Sequence, residues 1–147
     1  MKRIVLLLVV VLSISCSKES KQESILDQLD SIVWTRGTNY KIFKSNPFRL
    51  ILIEDGTCLE FSENPKMIME NEFQYTLLEN SADTLKLGYK VTGERLNHCG
   101  TFTYYIDEKG ELVRSYEECN TFYQTNNVTN FYSVEKDLGT LCPELQD

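Results

Sequence analysis

The 147-residue chain sets 22 acidic side chains against 15 basic ones, for a formal charge of −7. That sign argues against nucleic-acid binding, which rests on Lys and Arg contacts to phosphate, and against adhesion to anionic lipid through a basic patch. The length suits a single domain once the N-terminal segment is set aside.

Lys2 and Arg3 precede an unbroken apolar run from Ile4 to Leu12. Its length of about nine residues matches a signal-peptide core and falls well short of the roughly 20 apolar residues a membrane span requires. The run leads into Ser13-Ile14-Ser15-Cys16, with small Ser15 and branched Ile14 directly before the cysteine. This tetrad resembles the lipobox of bacterial lipoproteins, with Ser13 where Leu is usual. The resemblance implies cleavage between Ser15 and Cys16, acylation of the Cys16 thiol (palmitate among the chains) and membrane attachment through that lipid. Residues 1–15 then form the signal peptide, and residues 16–24 a lipidated cysteine with a polar, flexible tether. Removing Lys2 and Arg3 makes the mature chain still more acidic. Stable anchoring follows from more than one acyl chain, each buried CH₂ contributing about 0.8 kcal/mol. Lys18-Glu19 resembles a thin form of the surface-export signal in Bacteroidota lipoproteins. The expected location is the cell envelope, lipid-anchored at the outer membrane on its periplasmic face or at the cell surface.

From Glu23 to Val33, the apolar positions Ile25, Leu26, Leu29, Ile32 and Val33 recur at intervals of three and four, which predicts one short helix. Beyond Trp34 the pattern becomes that of strands. Pro47 to Glu54 is apolar on both faces, Asp55-Gly56 is a strong hairpin turn, and Thr57 to Phe61 alternates. Phe73, Tyr75 and Leu77 alternate with polar neighbours, as do Leu85, Leu87, Tyr89 and Val91 after the polar cluster Glu79–Asp83. Thr92 to Asn97 reads as a polar connection. Phe102, Tyr104 and Ile106 precede a turn at Asp107–Gly110, and Leu112, Arg114 and Tyr116 follow it. Thr121–Tyr123 and Val128–Val134 add aromatic and β-branched runs, and the tail from Glu135 to Asp147 reads as irregular. Residues 25–147 are thus expected to form one all-β domain of seven or eight short antiparallel strands, as a barrel or a β-sandwich.

Four cysteines remain after Cys16, and an even count in an exported domain implies two disulfides. Cys99 and Cys119 flank the Asp107–Gly110 turn and fall nearly opposite each other across it, which leaves Cys58 to tie Cys142 and the tail to an early strand. The pairing Cys58–Cys99 with Cys119–Cys142 stays open. A zinc site is disfavoured, because no Cys-x-x-Cys occurs and His98 is the lone histidine.

A short helix, Trp34 entering the first strand, the Phe48–Phe61 hairpin with its Asp-Gly-Thr turn, and the Thr84–Val91 strand together resemble the lipocalin-like barrels of small bacterial lipoproteins. Ile32 stands where lipocalins usually have the Gly of Gly-x-Trp. The resemblance implies an up-and-down antiparallel barrel over roughly residues 25–134, and a C-terminal cysteine reaching back to an early strand also matches it. It further implies a small apolar or amphipathic ligand held in the barrel.

No catalytic set assembles from the sequence. There is no Gly-x-Ser-x-Gly and no phosphate-cradling loop, Glu117 and Glu118 point to opposite faces of one strand, and His98 reads as a solvated loop residue. The expectation is therefore a non-enzymatic binding protein without a cofactor. Tyr104, Tyr105, Tyr116, Phe122, Tyr123, Phe131 and Tyr132 are candidates for core packing or for the wall of a barrel mouth. The alternatives are an envelope-assembly component that binds another protein, with a filled interior, or a hydrolase inhibitor presenting Thr92–Cys99 as a rigid loop. An interior cavity above roughly 300 Å³ would favour the small ligand.

Overall fold

The computed structural model describes residues 22–119 and 127–145. Cys16, Ser15 and the Thr121–Tyr123 run lie outside the described residues.

Ser24 caps a single-turn helix, α1 (Ile25–Leu29), its hydroxyl accepting from the Asp27 amide at 3.3 Å. The helix is shorter than its apolar spacing predicts, because Asp30 leaves helical geometry and Val33 already belongs to a strand. Ten strands follow: β1 (Val33–Arg36), β2 (Asn39–Ser45), β3 (Phe48–Glu54), β4 (Thr57–Phe61), β5 (Lys66–Ile68), β6 (Asn71–Asn80), β7 (Leu85–Gly93), β8 (Asn97–Ile106), β9 (Leu112–Glu118) and β10 (Thr129–Val134). The tail adds a short helix, α2 (Leu138–Leu141), and a 3₁₀ turn at Pro143–Leu145.

The strands form one antiparallel sheet in the order β4-β3-β2-β1-β10-β9-β8-β7-β6-β5. Every neighbour in that order is also a chain neighbour except β1 and β10, whose pairing (Trp34 opposite Ser133) curls the sheet into a nearly closed up-and-down barrel. The fold class read from the sequence is therefore correct, and the described residues form ten strands where seven or eight were expected. The strands not located from the sequence, β2 and β5, are informative. The β1–β2 hairpin turns at Gly37 through a polar stretch, and β5 has only three residues.

Turn chemistry sets the register where it is strongest. Asp55 and Gly56 have φ of 48° and 76°, the positive pair a type I′ turn needs, and they lock Glu54 opposite Thr57. At the β8–β9 turn, the Asp107 carboxylate accepts from the Lys109 and Glu111 amides, both at 2.9 Å.

Two apolar clusters lie on opposite faces of the sheet. The interior one joins α1 (Ile25, Leu26, Leu29) to Trp34, Phe43, Leu50, Leu85, Tyr104, Leu112 and Phe131. The helix is thereby a stopper at one end of the barrel, held by backbone and side-chain bonds to the β6–β7 turn. There Ser81 O accepts from the Ile25 amide at 2.7 Å and Asn80 Oδ1 from the Leu26 amide at 3.1 Å. The outer cluster places Val33, Ile42, Ile51 and Ile53 beneath Leu138, Leu141 and Leu145 of the tail. This explains why β3 is apolar on both faces: one faces the barrel interior and the other the tail. The Cys58–Cys142 disulfide fastens that tail, and Cys99–Cys119 joins β8 to the end of β9. Both bridges follow the pairing in which Cys99 meets Cys119 across its turn. The tail, expected to be irregular, contains the two short helical turns.

Candidate ligand-binding site

Below the α1 stopper the interior is filled; toward the other end it is not. A cavity of about 470 Å³ opens between Leu52 and Leu59 on one side and Tyr75, Tyr89, Phe102 and Tyr116 on the other. It lies where the inward positions of β6 to β9 carry planar side chains that pack against one another at tilted angles along the wall. Tyr75 and Tyr89 rings lie 5.1 Å apart, Tyr89 and Phe102 5.5 Å, and Phe102 and Tyr116 4.8 Å, continuing through Phe61 at 5.0 Å from Tyr75. Five rings thus form a belt around the lumen, each offering an apolar face.

Gly100 makes room for part of that belt. A Cβ there would come within 2.5 Å of the Tyr116 hydroxyl and 2.6 Å of the Glu117 carbonyl oxygen. Tyr116 lies across it and hydrogen-bonds His98 Nε2 at 2.6 Å, while His98 Nδ1 meets Glu118 at 3.2 Å. The Tyr116 hydroxyl also donates to the Cys99 carbonyl at 3.3 Å, which ties its ring to β8. Burial, with Glu118 nearby, raises the Tyr116 hydroxyl's pKa. His98 is therefore not a solvated loop residue. It sits in β8 and is held at both nitrogens, because the strand begins at Asn97, earlier than the polar pattern indicates. The segment Thr92–Cys99 is likewise not a protruding loop. Thr92 and Gly93 belong to β7 and Asn97–Cys99 to β8, leaving Glu94–Leu96 as the turn.

Two cations enter the interior from opposite sides of the β1–β10 junction. Lys41 on β2 is 8% exposed, and its Nζ stands 5.4 Å from the Phe131 ring centroid. The Arg114 guanidinium on β9 stands 5.5 Å from the same ring and 5.4 Å from that of Phe102. Thr129 Oγ1 accepts from Arg114 Nη2 at 3.3 Å, while Arg114 Nε is buried with no acceptor. Both side chains also border a second, smaller cavity of about 140 Å³, shared with Glu54 and Arg36. Burial, with the Arg114 charge, lowers the Lys41 ammonium to a pKa of about 7, and Glu54 opposes the shift. Burial drives the Tyr75 and Tyr104 hydroxyls well above the ordinary phenol range, so both are neutral donors at physiological pH.

Of the aromatic candidates, Tyr104 and Phe131 are core residues, Tyr116 lines the cavity, and Tyr105 and Tyr132 are exposed on the outside. Phe122 and Tyr123 lie outside the described residues. Lys41 and Arg114 were missed as site residues, although Arg114 shares its face with Leu112 and Tyr116 by strand alternation. Among the described residues, no group of three or more His, Cys, Asp and Glu could hold a metal ion. No helix among them is long and apolar enough to cross a membrane. Compared with protein-family models, curated protein sequences and solved structures, the chain has no significant match.

Proposed function

We propose that this chain is a lipid-anchored envelope protein that holds a small amphipathic ligand in its barrel without transforming it. The observation that carries the reading is the unfilled, ring-lined interior. Its volume of about 470 Å³ lies in the range of small-molecule sites, and its wall is mostly apolar with a few convergent polar groups. An assembly component would have more use for a filled core. The Glu118–His98–Tyr116 chain ends on a phenol whose pKa burial raises further, which supports positioning of a bound molecule rather than nucleophilic attack. The Lys2–Cys16 sequence pattern supports the anchor.

Two measurements test the proposal. Leu59→Trp, which fills the lumen from β4, should abolish binding of medium-chain amphiphiles in calorimetry while leaving the far-UV circular dichroism unchanged. Unchanged binding would place the ligand elsewhere. Cys16→Ser should remove acyl labelling and release the protein from the membrane fraction, and retention of either would defeat the anchor.

A further inference from the structure

We propose that the ligand is an anion: an apolar body ending in one carboxylate, its head drawn to Lys41 and Arg114. The inference rests on the barrel being the binding site and adds the chemistry of what fits there.

A buried charge is stable only when it is paired or hydrogen-bonded. Lys41 is 8% exposed, yet among the described residues it makes neither a hydrogen bond nor an ion pair, only the contact with the Phe131 ring. Arg114 retains a buried Nε–H without an acceptor. The groups facing this pair from the surrounding strands do not meet the demand. Arg36 on β1 is a further cation, and Tyr40 on β2 is spent on Lys136, which donates to its hydroxyl at 2.7 Å. Tyr75 and Tyr104 are neutral phenols, and although the Tyr104 oxygen accepts a hydrogen bond from Arg114, neither supplies a counter-charge. His98 and Glu118 are already paired with each other. Glu54, the one carboxylate at the two cavities, is exposed at the end of β3 and forms no ion pair with either cation.

The interior therefore has an excess of donors and positive charge in a protein whose overall charge is −7. A carboxylate supplies two acceptor oxygens and the missing counter-charge, in a site where charge-assisted bonds are strong. The ring belt beginning at Phe102, which Arg114 itself stacks on, then receives the apolar body. A cationic or neutral amphiphile would leave both cations uncompensated.

The test uses the full lipidated chain in phosphatidylcholine nanodiscs, with empty nanodiscs as the blank, titrated at pH 6.5 with octanoate, octanol and octylamine. Octanoate is expected to bind at least about tenfold more tightly than the other two. Lys41→Met and Arg114→Gln should each reduce that preference by weakening octanoate binding relative to octanol binding. If Arg114→Gln fails to fold, Lys41→Met carries the comparison alone. At pH 8.5, octanoate binding should take up protons, because the anion draws Lys41 back to its charged form, and Lys41→Met should abolish the uptake. Equal affinity for octanoate and octanol would overturn the anion assignment and leave the barrel as a ligand site. A preference for octylamine would overturn it by sign. Binding of none of the three would overturn both the assignment and the reading on which it rests.

Discussion

Lys41 holds its place in the barrel wall at a cost to the fold. Its ordinary pKa of 10.5 falls to about 7 because the ammonium leaves water for a wall of rings beside another cation. The sign of the consequence is fixed by that direction. Between pH 7 and 10.5 the unfolded chain binds a proton at this site and the folded chain does not, so stability rises with pH across that window. Below it, both states are protonated and the penalty is fully present. Lys41→Met should therefore stabilise the protein by about 2 kcal/mol or more at pH 6, where it removes a buried unpaired charge, and by much less at pH 9.5. Urea denaturation at the two pH values measures this, and an equal effect at both would show that the ammonium is solvated. A lysine is not expected on an inward strand position, and for that reason β2 escaped the alternation pattern: Lys41 interrupts the apolar face that Phe43 continues. Arg114 posed the same problem on β9, although there the flanking Leu112 and Tyr116 kept the strand legible. The candidate site was thus hidden for the reason that makes it a site, since charges inside a barrel break the pattern by which strands are read.

At the scale of elements, what could be read was what local chemistry dictates. Asp55-Gly56 and Asp107–Gly110 demand special backbone geometry, so their hairpins and the Cys99–Cys119 pairing could be located from residues alone. The extent of α1 could not, because the apolar spacing of Ile32 and Val33 suits a helix face as well as a strand. The tail was legible only through its cysteine. Its three leucines cover the outer faces of β1 to β3, and Cys58–Cys142 closes a loop of 84 residues around that contact. In the loop-entropy description, such a bridge stabilises by about 4.5 kcal/mol, against about 3 kcal/mol for the bridge spanning 20 residues. Replacing Cys58 and Cys142 together by Ser should cost most of that larger figure. It should also remove hydrogen-exchange protection from the Leu138–Leu141 amides before the barrel itself opens. Simultaneous loss in tail and barrel would show that the tail is part of the cooperative core.

Across the whole molecule, the sheet order leaves one discontinuity. β4 and β5 are the two ends of the ten-stranded sheet and do not pair with each other. Side chains bridge the gap instead: Phe61 meets Phe73 at 6.2 Å, and Lys66 Nζ donates to the Glu60 carbonyl at 2.9 Å. Parting this seam breaks no ladder hydrogen bond, so the strands beside it have the least to lose on opening. Native-state hydrogen exchange should accordingly be fastest in Lys66–Ile68 and along the free edge of Thr57–Phe61, and slowest in β7 and β8. Uniform protection around the barrel would show a seam as firm as a paired edge.

The α1 stopper also gives the molecule a direction. Its first residue is fastened to the β6–β7 turn, so the folded domain begins at the end of the barrel that is filled. With Cys16 acylated as proposed, eight residues lie between it and Ile25, a reach of at most about 30 Å when fully extended. The tether then leaves the domain at the blocked end, and the ring-lined opening lies at the other end of the barrel. A barrel tethered in this way exchanges its guest at the end opposite its attachment.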